Sequence, residues 1–280
     1  MGDVVSIFVE ANGQRFEVLE MGAGDRLALC LHGFPEHALS WRRQMPVLAD
    51  LGYRVWAVNQ RGYGESARPA AIRDYAMDRL VADVAGLIDA SGASEVVLVA
   101  HDWGAMVAWN VAALRVRPLA KLVIMNVPHP LCFQAALRHW RQLRKSWYIA
   151  FFQLPGLPER ALARNRGAAV RAMFRGVTLD PDVLDTLARQ IAAPGQATAM
   201  LNWYRALRYR QPGAARALAR PIEVPTLVIW GEADVALDPI CLDGTERYVT
   251  DLRIERLPRI SHWVQQHAPD AVNALLRDFL

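Results

Sequence analysis

Lysine is almost absent from this 280-residue chain, and cysteine is scarce. Of the 32 basic residues only Lys121 and Lys145 are lysines, a bias that points to a GC-rich, bacterial coding sequence and not to a function. The three cysteines, Cys30, Cys132 and Cys241, are odd in number and far apart. This spacing argues against a disulfide framework and predicts buried free thiols in a reducing, cytoplasmic compartment.

Long apolar runs and several functional motifs are also lacking. No apolar run reaches the about 18 residues of a membrane-spanning helix, and no basic segment followed by a hydrophobic stretch predicts a signal peptide. The Gly-rich turn at residues 61–66 lacks the lysine and following hydroxyl of a phosphate-binding loop. No metal-ligand spacing and no nucleic-acid-binding motif is visible. We therefore expect no membrane span, nucleic-acid partner, metal or cofactor.

Charge is unevenly distributed along the chain. Residues 131–220 hold 15 Arg or Lys against four Asp or Glu, whereas the remaining residues hold 17 against 24. A basic segment attracts acidic lipids or an anionic substrate, although a solvated helical face gives the same composition. With 53% apolar residues the chain can bury a large core, and its length fits one domain with an inserted subdomain.

The order of predicted elements is typical of an α/β fold. Apolar runs predict eight strands, at residues 6–10, 15–20, 27–31, 54–58, 96–99, 119–127, 226–230 and 252–257. Helical periodicity separates several of them, for example at 75–90 and at 41–51, where Ser40 is the expected N-cap. Alternating strands and helices predict a mostly parallel, eight-stranded sheet with helices on both faces.

The alternation stops at residues 131–220. This stretch has the pattern of Arg-rich helices and no clear strand, and it is interrupted by Pro155, Pro158, Pro181, Pro194 and Pro212. We therefore divide the chain into a first core part at 1–130, an inserted helical cap at 131–220, and a second core part at 221–280.

A reactive carboxylate follows the most apolar strand. Residues 96–99 lead into Ala100, His101, Asp102, Trp103 and Gly104, and a helical pattern follows. A strand, a sharp turn and a helix with small residues around one reactive side chain form the layout of a nucleophile elbow. Asp102 stands where serine is usual. A carboxylate is ionised at neutral pH, so it can attack an sp3 carbon and form an ester on the enzyme.

Two further residues complete a candidate triad. Asp234 and His262 each follow a predicted strand, at the sheet edge where sites of such folds lie. The order of nucleophile, acid and histidine along the chain is that of triads in α/β-hydrolase folds. Glu232 and Asp238 compete with Asp234 as the acid. Because His262 must be neutral to act as a base, the reaction is expected to weaken below about pH 6.5.

Three segments carry a family resemblance: HGFPE at 32–36, HDWG at 101–104 and SHW at 261–263. They resemble the epoxide hydrolases of the α/β-hydrolase fold and the related haloalkane dehalogenases, and the similarity runs through almost the whole chain. The departures are small. Ala100 and Ser261 stand where glycine is more common, and Asn59 replaces an aspartate, so no reacting group is lost.

The resemblance implies roles for further residues. The backbone N–H groups of Phe34 and Trp103 are expected to form the oxyanion hole. Tyr148 and Tyr204 lie in segments that resemble the cap segments of epoxide hydrolases, where two phenols hold the epoxide oxygen and donate a proton. The expected substrate-binding residues are Trp103, Trp147, Phe151, Phe152 and Trp203. His32 and His101 are interpreted as structural hydrogen-bonding groups.

The sequence therefore predicts an epoxide hydrolase that converts a small hydrophobic epoxide to a vicinal diol through an Asp102 ester hydrolysed by His262-activated water. A haloalkane dehalogenase is the alternative, with Trp103 and Trp147 as halide donors. Small halo-acids are disfavoured, because Trp103 and Met106 stand where fluoroacetate-type dehalogenases carry arginine. A hydrolase of ester or C–C bonds and a non-catalytic binding protein are less consistent with an intact triad built on Asp102. The oligomeric state, a homodimer included, is left open.

Overall fold

An eight-stranded sheet organises the computed structural model, which describes residues 3–177, 179–209 and 213–280. The strands are β1 Val5–Ala11, β2 Gln14–Met21, β3 Arg26–Leu31, β4 Arg54–Val58, β5 Glu95–His101, β6 Lys121–Met125, β7 Thr226–Gly231 and β8 Leu252–Leu257. Their spatial order is β1-β2-β4-β3-β5-β6-β7-β8. The pairs β1–β2 and β2–β4 are antiparallel and the others are parallel, which confirms the predicted α/β-hydrolase architecture.

Helices connect the parallel strands. In the described part of the chain they are α1 Met45–Asp50, α2 Met77–Ser91, α3 Asp102–Ala113, α4 Pro130–Ala136, α5 Trp140–Lys145, α6 Trp147–Phe151, α7 Leu157–Met173, α8 Pro181–Ala192, α9 Gln196–Arg205, α10 Ala214–Leu218, α11 Val264–His267 and α12 Pro269–Phe279. The prediction of one helix at 41–51 capped by Ser40 is wrong. A 3-10 turn at Ala38–Trp41 is capped by His37, and α1 begins only at Met45, where Pro46 fits the first helical turn.

Helices cover both faces of the sheet. Alternate residues of β3 point to opposite sides, so Leu29 and Leu31 pack in the cluster that includes α2 and α3. Cys30 packs on the other side with Trp41 and with Leu276 of α12. Two buried layers therefore hold the strands in place, and the carboxyl ends of the parallel strands meet along one edge.

The described residues between β6 and β7 form α4 to α10 and add no strand to the sheet. Pro158 and Pro181 lie in the first turns of α7 and α8, where a proline ring costs no helical hydrogen bond. Pro155 and Pro194 lie between helices. The fifth predicted helix breaker, Pro212, lies outside the described residues.

The turn after β4 connects α9 to the core. Trp203 of α9 donates from its indole Nε1 to the backbone oxygen of Arg61 over 3.0 Å. The buried guanidinium of Arg61 in turn donates to Asp83 of α2, with 2.7 Å between Nε and Oδ2, and Asn12 donates to the same carboxylate. Burial raises the pKa of Asp83, against the opposing effect of Arg61. The ion pair thus fixes the turn on which α9 rests.

Replacing Asp83 by alanine should lower the free energy of unfolding by about 3–5 kcal/mol, because Arg61 then stays buried without a charged partner. Urea denaturation of the variant measures this. The control is Glu95→Ala, which breaks the Arg26–Glu95 pair, whose side chains are each 39% exposed. Because that pair is exposed to solvent, its loss should lower the free energy of unfolding much less. Equal losses in the two variants would contradict the structural role of Asp83.

Candidate active site

The turn between β5 and α3 presents Asp102 at the carboxyl edge of the sheet. Asp102 has a φ of +47°, a left-handed conformation that costs energy in a residue other than glycine. Two glycines make the turn possible. A Cβ atom on Gly104 would collide with the backbone oxygen of Leu31, and one on Gly33 would collide with the Asp102 side chain itself. The strand, sharp turn and helix predicted around Asp102 are all present.

Two groups hold the Asp102 carboxylate. The backbone N–H of Phe34 donates to Oδ1 over 2.7 Å, and His262 Nε2 lies 3.4 Å from Oδ2. Burial alone would raise the pKa of Asp102, but the hydrogen bond and the charge of His262 outweigh it, so that the pKa lies below its ordinary value. The carboxylate is therefore ionised at neutral pH and mostly buried.

Phe34 and Trp103 approach Asp102 from two elements. Phe34 follows β3, and its N–H already contacts the carboxylate. Trp103 is the second residue of α3, and the N–H groups of a first helical turn have no acceptor within their own helix. The next N–H, of Gly104, donates to the backbone oxygen of His32 over 3.1 Å. The loop after β3 and the start of α3 are thus joined beside Asp102.

Asp234 is the acid that contacts the triad histidine. Its Oδ2 lies 2.6 Å from Nδ1 of His262. The competing acids are occupied elsewhere: Glu232 lies 3.7 Å from Arg256, and Asp238 accepts from the N–H of Ile240. The loops after β5, β7 and β8 therefore bring together the three residues selected from the sequence.

Three further donors hold Asp234. Its Oδ1 accepts from the N–H groups of Ala236 and Leu237 over 2.7 and 2.9 Å, and its Oδ2 accepts from the Asn126 side chain over 2.8 Å. Asn126 is buried directly after β6 with a φ of +47°, and it also pairs with the backbone of Gly231. Asn126 is absent from the predicted site residues. The predicted strand at 119–127 included it, and only the observed end of β6 at Met125 places it at the edge of the sheet.

The two carboxylates determine the charge of His262. Burial alone would lower the pKa of the imidazole, but Asp234 and Asp102 reverse this and raise the pKa to about 10. The ordinary value near 6.5, on which the expected pH dependence rests, therefore does not describe the resting protein. His262 carries a positive charge there at neutral pH, between two negative charges.

The other histidines of the site are fully buried and hydrogen-bonded. His101 lies 2.7 Å from Glu36 through Nδ1, and 3.0 Å from the backbone oxygen of His262 through Nε2. His32 accepts from the N–H of Gln60, and burial lowers its pKa to about 4. Neither histidine contacts the Asp102 carboxylate directly. Their geometry fits the structural interpretation.

The helices between β6 and β7 place two packed tyrosines against the residues that flank Asp102. Tyr148 of α6 and Tyr204 of α9 have ring centroids 6.0 Å apart. Tyr204 also packs against Phe34 and Trp103, with ring centroids 5.5 and 5.0 Å away. Burial and, secondly, the negative charge of Asp102 raise the pKa of both phenols. Both tyrosines therefore keep their protons at neutral pH.

The predicted apolar residues divide into two groups. Phe152 and Trp203 belong to the first group, which lies in the site. The ring centroids of Phe152 and Tyr204 are 4.9 Å apart, and those of Trp203 and Trp103 are 5.7 Å apart. The half-buried Phe151 packs behind Phe152. Trp147 is not in the site: its side chain is 66% exposed. Successive residues of a helix point about 100° apart, so the residue before the inward-facing Tyr148 points outward.

The described ranges, residues 3–177, 179–209 and 213–280, contain neither a metal-binding cluster nor a membrane-spanning helix. There, no group of three or more His, Cys, Asp or Glu side chains is arranged to hold a metal ion. None of the helices is long and apolar enough to span a membrane. All three cysteines are free and buried.

Comparison with known proteins gives consistent matches. Residues 29–267 match the family of the alpha/beta hydrolase fold. Epoxide hydrolase 4 of Mus musculus is 35% identical over 100% of this chain and 80% of its own length. Epoxide hydrolase A of Mycobacterium tuberculosis is 34% identical, over 100% of this chain and 98% of its own.

A crystal structure of a variant epoxide hydrolase from Bacillus megaterium is also similar. It contains the product (R)-3-[1]naphthyloxy-propane-1,2-diol and aligns with a TM-score of 0.87 at 28% identity, covering 98% of this chain and 99% of that one. The sheet and the strand–turn–helix at Asp102 define an α/β-hydrolase-fold enzyme. Within that fold, this chain belongs to the epoxide hydrolase family.

Replacing Asp102 by asparagine should lower the pKa of His262 by roughly one to three pH units, because one of the two facing charges is lost. Nitrogen NMR of the labelled imidazole, titrated with pH, measures this. Asp89→Asn is the control, since Asp89 pairs with Arg117 on the surface and should leave the His262 titration unchanged. An unchanged pKa in Asp102→Asn would show that Asp102 does not hold the proton on His262.

Proposed function

We propose that this protein hydrolyses hydrophobic epoxides to vicinal diols through a covalent ester of Asp102. One observation carries the proposal. Two protonated phenols, Tyr148 and Tyr204, pack together beside Trp103, close enough to Asp102 for its charge to raise the pKa of both. The Asp102 carboxylate in turn faces the His262–Asp234 pair. A carboxylate supplies the nucleophile, the phenols supply the acid, and the imidazole supplies the base for a second step.

In the first step, Asp102 attacks one carbon of the epoxide. Because the N–H of Phe34 holds Oδ1, Oδ2 is the oxygen that bonds to the carbon. The carbon–oxygen bond of the ring breaks, and its electrons go to the ring oxygen. Tyr148 and Tyr204 donate hydrogen bonds to this oxygen and supply the proton that makes it a hydroxyl. The products are an alkyl ester of Asp102 and a neighbouring hydroxyl group.

Ester formation prepares His262 for the second step. An esterified Asp102 is neutral, so only Asp234 still favours the imidazolium and the pKa of His262 falls. The imidazolium gives up its proton, which restores the phenol that was deprotonated in the first step. The neutral imidazole then takes a proton from water, and the resulting hydroxide attacks the carbonyl carbon of the ester. The N–H groups of Phe34 and Trp103 stabilise the oxyanion, and loss of one such donor typically costs about 3 kcal/mol. Release of the diol restores the carboxylate.

We also propose that α4 to α10 act as the cap over this site, within residues 131–220. They contribute Tyr148 and Tyr204, together with the aromatic rings of Phe152 and Trp203. An aromatic, largely buried site favours an apolar epoxide and keeps bulk water away from the reaction. The naphthyloxy diol bound to the Bacillus megaterium relative is a product of this chemical kind. Free, buried cysteines fit an enzyme working in a reducing compartment such as the cytoplasm.

The covalent step is tested with His262→Gln. This variant should form the Asp102 ester but not hydrolyse it, so intact-protein mass spectrometry after incubation with an aryl epoxide should show a gain equal to the whole epoxide. Asp102→Ala should show no gain. If only a bromoalkane reacted, and the protein mass increased by the mass of its alkyl group, the protein would be a haloalkane dehalogenase.

The exposed position of Trp147 argues against this alternative, because it removes one of the two indole donors expected for the halide.

The acid role is tested with Tyr148→Phe and Tyr204→Phe. Each variant should slow ester formation about tenfold, and the double variant by a factor of about 10²–10⁴, because general acid catalysis is lost. Stopped-flow fluorescence under single-turnover conditions measures the rate. Tyr248→Phe is the matched control, because its ring stacks on His129 outside the triad and cap tyrosines. A double variant with an unchanged rate would rule out the phenols as the acid.

A further inference from the structure

Exposed apolar side chains cover the outer surface of α5 and α6. Trp140 and Trp147 are each 66% exposed and Leu143 is 61% exposed. Three exposed arginines of the same segment surround them. We call this surface the cap patch; it consists of Arg138, Trp140, Arg141, Leu143, Arg144 and Trp147. Single exposed apolar residues are ordinary, but large side chains grouped in this way mark an interaction surface.

Buried contacts fix the opposite side of α5. Gln142 donates to the backbone oxygen of Ala236 and accepts from the N–H of Asp238 over 2.7 Å. Lys145 donates to the backbone oxygen of Asp234 over 2.7 Å. The helix is thus anchored on the loop that carries the acid of the triad. The two tryptophans and the leucine are held outward by this anchoring.

The charged side chains of the cap patch itself all have one sign. No acidic residue occurs in the sequence between Asp102 and Glu159, and Glu159 itself pairs with Arg205 over 2.6 Å. Within the described ranges, Arg138, Arg141 and Arg144 have no carboxylate within 4.0 Å. The guanidiniums of Arg144 and Arg141 instead lie 5.4 and 6.0 Å from the ring centroid of Trp140. The patch is therefore apolar at its centre and cationic at its margin.

We propose that the cap patch docks onto an anionic lipid bilayer. Tryptophan rings favour the boundary between headgroups and acyl chains, leucine adds buried apolar area, and arginines attract the phosphates of anionic lipids. A second copy of the chain fits less well. In a twofold dimer through this patch, the arginines of both copies meet with no acid between them.

The position of the cap patch determines which side of the protein would face the bilayer. Trp147 points outward from α6, whereas the ring of its neighbour Tyr148 packs against Tyr204, which in turn contacts Trp103 beside Asp102. A bilayer under the patch is thus separated from the site by a single short helix. Docking does not depend on the proposed reaction, because it is a property of the outer surface alone.

Cosedimentation of the full chain with lipid vesicles tests the proposal. Vesicles of equimolar phosphatidylcholine and phosphatidylglycerol should bind at least tenfold more tightly than vesicles of phosphatidylcholine alone, and salt should weaken this binding. Arg141→Gln with Arg144→Gln should weaken it by roughly thirtyfold, from the loss of two cations near the anionic surface. Trp140→Ser with Trp147→Ser should weaken binding to both kinds of vesicle.

Two double variants of the core serve as matched controls. Arg115→Gln with Arg256→Gln removes two exposed arginines, and Val4→Ser with Val5→Ser removes two exposed apolar side chains. Both should bind as the unchanged chain does. Thermal unfolding of every variant shows that it is folded.

Three results would overturn the proposal. The first is that the protein does not bind phosphatidylglycerol vesicles at low salt. The second is that the patch variants and the control variants bind the vesicles equally well. The third is that the protein does not bind vesicles but forms a dimer in analytical ultracentrifugation, and that Trp140→Ser with Trp147→Ser abolishes this dimer. The last result would assign the patch to a second copy of the chain.

Discussion

The site depends on one buried cation held between two carboxylates. His262 lies 2.6 Å from Asp234 and 3.4 Å from Asp102, and each carboxylate has its pKa lowered by this arrangement. Burying two carboxylates without the imidazolium would destabilise the folded protein, and so would burying the imidazolium without the carboxylates. The same balance of charge underlies the proposed reaction, in which neutralising Asp102 by ester formation would lower the pKa of His262 and leave it free to act as a base.

The chemistry is divided between the two parts of the chain. The core supplies all the charge of the site through loops that follow β5, β7 and β8. The helices between β6 and β7 supply neutral donors and apolar rings, and burial keeps Tyr148 and Tyr204 protonated. The basic segment therefore has two kinds of surroundings: Tyr148 and Tyr204 pack on the inner side, beside Trp103, and Arg138, Arg141 and Arg144 are exposed.

The fold was predictable because buried parallel strands are continuous apolar runs that few other structures produce. The triad was predictable because each member directly follows such a run. Asn126 has the same position but was not predicted, because an asparagine after a strand carries no chemical signal until its partner is known. Trp147 was placed wrongly, since composition does not show which way each side chain of a five-residue helix points. Ser40 was misplaced as a cap because the His37 side chain accepts the N–H of Leu39 and begins a separate turn.

Asn126 also links the carboxyl ends of β6 and β7, the two strands that border the helical segment in the sequence. It accepts from the N–H of Gly231 over 2.8 Å and donates to Asp234, so the end of β6, the end of β7 and the acid are joined by one amide. The helical segment leaves the sheet at this edge, but it re-enters β7 at Thr226, which pairs with Leu122 near the start of β6. The Asn126 link lies wholly within the sheet and the loop after β7, so it tolerates changes in the helices that do not touch this loop. Exchange of α5 is different, because its Gln142 and Lys145 also hold the loop of Asp234.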